Sequence, residues 1–458
     1  MGQLIEDLKA ALGPGGVLEG AEAAEKAQSL WTRLGSPLAV LRPTSTEQVS
    51  TILKLASAAG TPVVPWGGKT GLVDGCNADG ALALSLERMA AIEAIDVDGA
   101  RMVVQAGCVL QTACEAAEGQ GLLLPLDLGA RGSATIGGNI STNAGGNRVL
   151  RFGMTRDMVL GLEAVLADGT IVSSMNSLMK NNTGYDLKQL FIGAEGTLGV
   201  VTRAVLRLRP APASQDTAFI GVNAFDDLPG LLRRVESGLG GALSAFEVMW
   251  ASFHDLVTTE PARGRPLLAG RYPYYVLVES MGGDPASDAE RFEAVLGAAL
   301  EEGAIADAVI AKSKAEREAI WALRDDVGQT GRNRPILALD VSLRIADMEA
   351  YVARVTADLA ARWPDRPAPV VFGHLGDGNL HVIVAMPDME PATRHTAEAI
   401  VYAPLGPIHG SISAEHGVGL MKRDFLHLSR SPEELALMRR VKTALDPDNI
   451  LNPGKIFA

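Results

Sequence analysis

The 458-residue chain has little cysteine, few aromatic residues and less basic than acidic charge. Its three cysteines, Cys76, Cys108 and Cys114, are odd in number and have no C-x-x-C spacing. That excludes a full disulfide framework and a cysteine zinc site, and fits a reducing cytoplasm. Aromatic residues make up 5% of the chain, too few for a base-stacking surface. Lys and Arg number 41 against 54 Asp and Glu, a net charge of −13, which repels phosphate backbones and argues against a nucleic-acid partner. No apolar run approaches the roughly 20 residues of a membrane span. Met1 to Glu6 lacks the basic-then-apolar order of a secretory leader, and Glu6 stands where a myristoylation signal has Ser or Thr. A soluble, cytoplasmic protein without a transmembrane segment is expected.

Glycine is abundant, 50 residues, and the 47% hydrophobic content can bury two or three cores. Residues 4–12 and 20–34 read as helices, and 44–59 as a helix capped by Ser45. From Pro62 to about Leu208, short β-rich runs (61–64, 81–85, 101–106, 159–166 and 199–208) alternate with glycine-dense loops. Two prolines in Arg209-Pro-Ala-Pro-Ala-Ser214 mark a boundary. Beyond it, helical stretches (288–302, 312–328 and 345–363) alternate with strands (274–279, 336–343 and 381–385), which reads as an antiparallel sheet with helices on one face. Residues 432–446 form a last helix before a rigid turn.

Two glycine clusters look chemical: Val63-Val-Pro-Trp-Gly-Gly-Lys-Thr-Gly-Leu72, and Gly129 to Asn147. Glycines let backbone amides approach a pyrophosphate, and Ser and Thr add donors, so a dinucleotide fits between the two. Neither is a Rossmann or P-loop signature. A third segment, Asn182 to Thr202, again sets small residues before a strand.

Together the three segments resemble the flavin-binding domain of the vanillyl-alcohol oxidase and p-cresol methylhydroxylase (PCMH) superfamily. The resemblance implies FAD in a cleft between two α+β subdomains. Trp66, Gly67, Gly68, Lys69, Thr70, Gly71 and Leu72 would then surround the pyrophosphate with Gly137, Gly138, Ser141, Thr142, Asn143, Gly145 and Gly146. Gly196, Gly199 and Val200 would lie near the adenine side. No histidine precedes His254, so histidyl attachment of the flavin in this domain is excluded and FAD is expected to be non-covalent; a cysteinyl link stays formally open.

Four of the seven histidines, His374, His381, His409 and His416, fall in one stretch. His374 and His381 flank a Gly-Asp-Gly turn at 376–378 that can bring both imidazoles to one site, and Glu415 can add an oxygen ligand. Two His and one carboxylate suit Zn²⁺ and tolerate Mn²⁺ or Fe²⁺. Asp377 reads as the cap of its own turn.

These strings are similar to the C-terminal domain of FAD-dependent D-2-hydroxy acid dehydrogenases. The resemblance implies that His374, His381 and Glu415 bind a divalent metal, that His416 is the general base, that Arg324 and Asn379 bind substrate, and that a tail returns Asn452 to the flavin ring. It also implies a fold of class α+β: N-terminal helices (1–36), a two-subdomain PCMH-type FAD-binding domain (37–212) and an α+β substrate or cap domain with an antiparallel sheet (213–458), of which 406–458 returns to the flavin.

Members acting on D-2-hydroxyglutarate typically carry Lys and Asn where this chain has Ala338 and Ile383, and a hydroxyl where it has Gly328. An apolar lining does not offset desolvation of a second carboxylate, so a monocarboxylate such as D-lactate is expected unless Arg332, Arg334 or Arg344 folds in. D-2-hydroxyglutarate or D-malate oxidation, an alcohol or sugar oxidase, a metal-dependent hydrolase and a flavin-carrying electron-transfer subunit are the alternatives. The resemblance suggests electron-transfer flavoprotein, a cytochrome or a quinone as acceptor, and a homodimer.

Overall fold

The structure, a computed structural model, describes residues 1–30 and 32–457. Trp31, inside the expected 20–34 helix, and Ala458, the end of the expected substrate domain, lie outside the described residues. The chain forms two units: residues 1–146, 153–211 and 415–458 in the first, and residues 147–152 and 212–414 in the second.

The first unit holds two principal sheets. One orders its strands Val17–Leu18, Ala39–Leu41, Leu82–Ser85, Val63–Trp66, the last three parallel. Parallel neighbours need a crossover, and the helix Thr46–Ala58 supplies it, begun by the Ser45 hydroxyl accepting the Gln48 amide. Val40, Val64 and Ala83 on neighbouring strands are almost wholly buried and pack with Trp66 in one core. The second sheet is antiparallel, in the order Ile92–Asp96, Arg101–Gln105, Val200–Arg207, Val159–Val165, Ile171–Ser174.

The second unit is built on a seven-stranded antiparallel sheet ordered Asp307–Ile310, Ser214–Val222, Tyr274–Gly282, Leu243–Trp250, Val370–His374, Asn379–Ala385, Ile336–Ser342. The helices Ala251–Thr258 and Lys314–Asp325 place Phe253, Val257, Ile320 and Leu323 against Phe219, Phe372 and Ile383 of the strands. Each such buried side chain contributes about 1.5–3 kcal/mol. That apolar wall carries the polar site at the His374 end of its strand.

One expected element is shorter than its sequence suggests. The 20–34 helix is only Gly20–Lys26: Ala27 leaves helical geometry and closes the last turn with its amide on Ala23 O at 3.0 Å. Residues 147–152 group with the second unit by their contacts, since Arg148 pairs with Glu279 at 3.0 Å and Arg151 donates to the Ala242 carbonyl at 3.2 Å. The chain rejoins the first unit at Glu415, and before it Ser411 and Ser342 exchange backbone bonds of 2.7 and 3.0 Å on the sheet of the second unit.

Candidate flavin and substrate sites

In the first unit, Val63–Trp66 runs into the first glycine cluster, and that loop lies flat against the second cluster. A Cβ on Gly67 would meet the Thr135 hydroxyl at 2.6 Å, and one on Gly68 would meet the Ser133 carbonyl at 2.0 Å. Gly137 is equally tight, its would-be Cβ 2.6 Å from Ala106. Nothing lies within 4 Å of a Cβ on Gly71, so the loop's outer edge is open. The amides of Gly68, Thr70 and Gly71 donate to no acceptor among the described residues. Beside them is a cleft of about 360 Å³ lined by Gln28, Ser29, Lys69, Thr70 and Ser133. Uncommitted amides on a glycine edge are what a pyrophosphate requires.

The third cluster joins these two. The Glu195 amide donates to Ser141 O at 2.7 Å, and Gly196 approaches Pro65. The tail then adds to the edge of Val63–Trp66, with Val63 N donating to Ile450 O and Asn452 N to Val63 O, both at 2.8 Å. Asn452 is 2% exposed; its Nδ2 donates to the carbonyls of Gly75 and Glu195, while its Oδ1 is buried without a partner among the described residues. An orphaned acceptor costs about 1–3 kcal/mol unless a ligand donates to it. FAD offers such donors, so the cradle fits the cofactor.

Other expected contacts face inward. Trp66 is 1% exposed and its indole donates to Cys76 O at 2.7 Å, so its side chain supports the loop from behind. Val200 is buried in a strand, and Gly199 makes room for Phe191. Thr142 donates to Gly138 O, Asn143 accepts from Arg156 N, and Gly146 has a φ of 143° where a Cβ would strike Asp127 O. The Lys69 ammonium donates to Lys26 O at 2.8 Å. Desolvation raises the thiol of Cys76 to about 11 and that of Cys114 to about 12, leaving neither a ready nucleophile for a covalent flavin link.

In the second unit, His374 ends one strand and His381 lies in the next, with His374 opposite Asn379 and His381 opposite Phe372. Ring centroids of the two histidines are 5.6 Å apart. Gly378, at φ 85°, makes the tight connection, and Asp377 accepts the Asn379 amide at 3.1 Å, which caps the turn. Ala414 N donates to Asp340 at 2.9 Å, and Glu415, bonded to Ala414, brings its carboxylate to the pair: one ligand atom each of His374, His381 and Glu415 lie within 4.8 Å of one another. This donor set fits a divalent ion. Asn379 is 3% exposed, with both carboxamide atoms buried and unpartnered among the described residues.

Sequence reasoning missed Glu247. It lies in Leu243–Trp250 opposite His374, is 1% exposed, accepts Arg324 Nε at 2.9 Å and lies 2.7 Å from His374 Nδ1. Burial alone would raise its pKa, but the charges of His374 and Arg324 and their hydrogen bonds outweigh burial and hold the carboxyl below its usual value. The Arg324 guanidinium also sits 4.9 Å from the Phe372 ring centroid. Its terminal nitrogens have no acceptor among the described residues, so a bidentate face remains for a ligand carboxylate.

Comparison with known proteins bears on both halves. The family described as "FAD linked oxidases, C-terminal domain" matches residues 211–456, and "FAD binding domain" matches residues 37–174. The chain belongs to the FAD-linked oxidase family. The chain is 40% identical over 449 residues to the mitochondrial D-2-hydroxyglutarate dehydrogenase of Bos taurus, covering 97% of this chain and 81% of that one. It is 40% identical to D-2-hydroxyglutarate dehydrogenase of Xanthomonas citri pv. viticola (93% and 91% covered) and 37% identical to that of Stutzerimonas stutzeri (99% and 99%). A p-cresol methylhydroxylase structure with substrate bound shares the fold at TM-score 0.78 and 16% identity, covering 99% of this chain and 96% of that one. The protein is therefore a flavoprotein oxidoreductase with the expected α+β, PCMH-type architecture.

His416 follows Glu415 directly. Its loop is held by Glu195, whose carboxylate accepts Val418 N at 2.7 Å and Gly419 N at 2.8 Å. Burial raises the Glu195 carboxyl, and those two amides act against the rise. Among the described residues, no helix is long and apolar enough to cross a membrane.

Proposed function

We propose that this protein is a dehydrogenase of D-2-hydroxy acids that forms the 2-keto acid, holds a divalent ion on His374, His381 and Glu415, and prefers monocarboxylates such as D-lactate. The observation that carries the reading is the shared carboxylate of Glu247: it holds a metal-type histidine and an arginine with an open bidentate face at one buried spot. Arg324 binds and orients the substrate carboxylate, and Asn379 offers an uncommitted donor and acceptor beside it. The ion, zinc foremost with manganese or iron as alternatives, would supply Lewis-acid polarisation of the substrate hydroxyl. His416 takes the hydroxyl proton at a ring nitrogen. FAD, bound non-covalently, supplies the hydride acceptor. Electrons then leave to an acceptor other than NAD, such as electron-transfer flavoprotein, a cytochrome or a quinone.

The monocarboxylate preference rests on the sheet face beyond His381. Along that face the next position is Ile383, 8% exposed, flanked by Ala338 and Val370 across the ladder. No cation stands at these positions to pair a distal carboxylate, and an unpaired buried charge costs several kcal/mol. A second reading, D-2-hydroxyglutarate as substrate, is favoured by the names of the relatives at 37–40% identity.

Steady-state turnover with a dye acceptor tests both. The proposal expects a higher kcat/KM for D-lactate than for D-2-hydroxyglutarate, and loss of activity on chelation with recovery on adding Zn²⁺ or Mn²⁺. A clear preference for D-2-hydroxyglutarate replaces the first reading with the second. Full activity after chelation, with no metal left in the protein, removes the ion.

A further inference from the structure

In the second unit Glu247 is the lone acid of the apolar strand Leu243–Trp250, and Glu279 that of Tyr274–Gly282. Both are buried, yet their partners differ. Glu279 accepts from Arg148, Gln215, Ser244 and Trp321, a closed network with every oxygen engaged by the scaffold. Glu247 has one oxygen on Arg324 and the other on His374.

We infer that Glu247 is a positioning residue that couples the substrate clamp to the metal site, setting the ring orientation of His374 with one oxygen and the fork of Arg324 with the other. The inference rests on the functional reading above. With Nδ1–H donated to a carboxylate, the His374 lone pair lies on Nε2, and the ring becomes a stronger ligand for a cation. With Nε engaged, the two terminal nitrogens of Arg324 stay parallel for a carboxylate, a geometry that Lys at the same place would not provide. One anion also offsets the positive charges gathered there, which is why losing it affects both binding steps together.

The coupling is open to measurement on the FAD-loaded full chain. Zn²⁺ titrated by calorimetry into chelator-stripped wild type, Glu247→Gln and Glu247→Asp gives the metal affinity. Kinetics on D-lactate at saturating Zn²⁺ give KM and kcat separately, and flavin content and melting temperature report folding. Glu247→Gln is expected to weaken Zn²⁺ by about 10–100-fold, to raise KM more than it lowers kcat, and to keep its flavin. Glu247→Asp is expected to fall between the two. If Glu247→Gln does not fold, Glu247→Asp decides by the same affinity and KM. Wild-type Zn²⁺ affinity and KM in a folded variant overturn the inference alone. Wild-type protein that takes up no divalent ion overturns the metal reading and this inference with it.

Discussion

Asn452 Nδ2 donates to the carbonyl of Glu195 at 2.7 Å, across 257 residues of sequence. That bond and the one to Gly75 O fasten the tail over the flavin cradle while leaving Asn452 Oδ1 buried and unpartnered. At about 1 kcal/mol per hydrogen bond, Asn452→Ala is expected to raise the FAD dissociation constant on the order of tenfold to thirtyfold. Flavin-to-protein absorbance after dilution and gel filtration checks it; full flavin retention contradicts it.

Two glycines of one loop separate packing from ligand contact. Gly68→Ala places a Cβ 2.0 Å from Ser133 O, so both the flavin-free and flavin-loaded protein should lose thermal stability. A Cβ on Gly71 meets nothing, so Gly71→Ala should leave the flavin-free melting temperature unchanged and lower only the rise that added FAD produces. Melting curves with and without FAD tell the two apart.

His254 is 4% exposed, stacks on Tyr275 at 3.7 Å between centroids, and neither ring nitrogen has a partner among the described residues. Burial lowers its pKa, with Asp255 opposing and Arg271 reinforcing the shift. The native form is thus neutral while the unfolded chain gains a proton below about 6.5. Stability from this site is complete above that pH and is lost as pH falls toward the depressed native value. His254→Phe should therefore shift the urea midpoint little at pH 7.5 and raise it relative to wild type at pH 5.5; equal shifts at both would refute the assignment.

Ala338 and Ile383 are ladder partners on the face that carries Asp340 and His381. The double substitution Ala338→Lys with Ile383→Asn supplies a cation and an amide there. It should raise the ratio of kcat/KM for D-2-hydroxyglutarate over D-lactate by roughly tenfold, the worth of one charge-assisted hydrogen bond. An unchanged ratio would place the distal end of the substrate elsewhere.

Much of the cradle was legible because glycine patterning records where backbone must approach backbone. Gly67, Gly68 and Gly137 are tight against Thr135, Ser133 and Ala106 of the chain itself, where the sequence alone suggests only room for a pyrophosphate. The proximity of His374 and His381 is legible because a short turn separates them, whereas Glu415 reaches them from outside that turn. Glu247 was not legible, because an acid in an apolar strand looks the same whether it serves a site or the scaffold, as Glu279 does. Its meaning lies in which strand pairs with Val370–His374, and a pairing across 127 residues leaves no local trace. Trp66 borders the glycine loop in sequence, and strand alternation turns its ring into the core.

The central claim is that a D-2-hydroxy acid delivers hydride to the flavin of this protein. Anaerobic addition of D-lactate, L-lactate, D-2-hydroxyglutarate, D-malate and glycolate to the metal-replete flavoprotein, followed by the yellow flavin band, tests it directly. Rapid bleaching by D-lactate, weaker bleaching by the D-dicarboxylates and none by L-lactate is the predicted result. A flavin that stays oxidised with every acid would contradict the account and turn attention to alcohols and sugars.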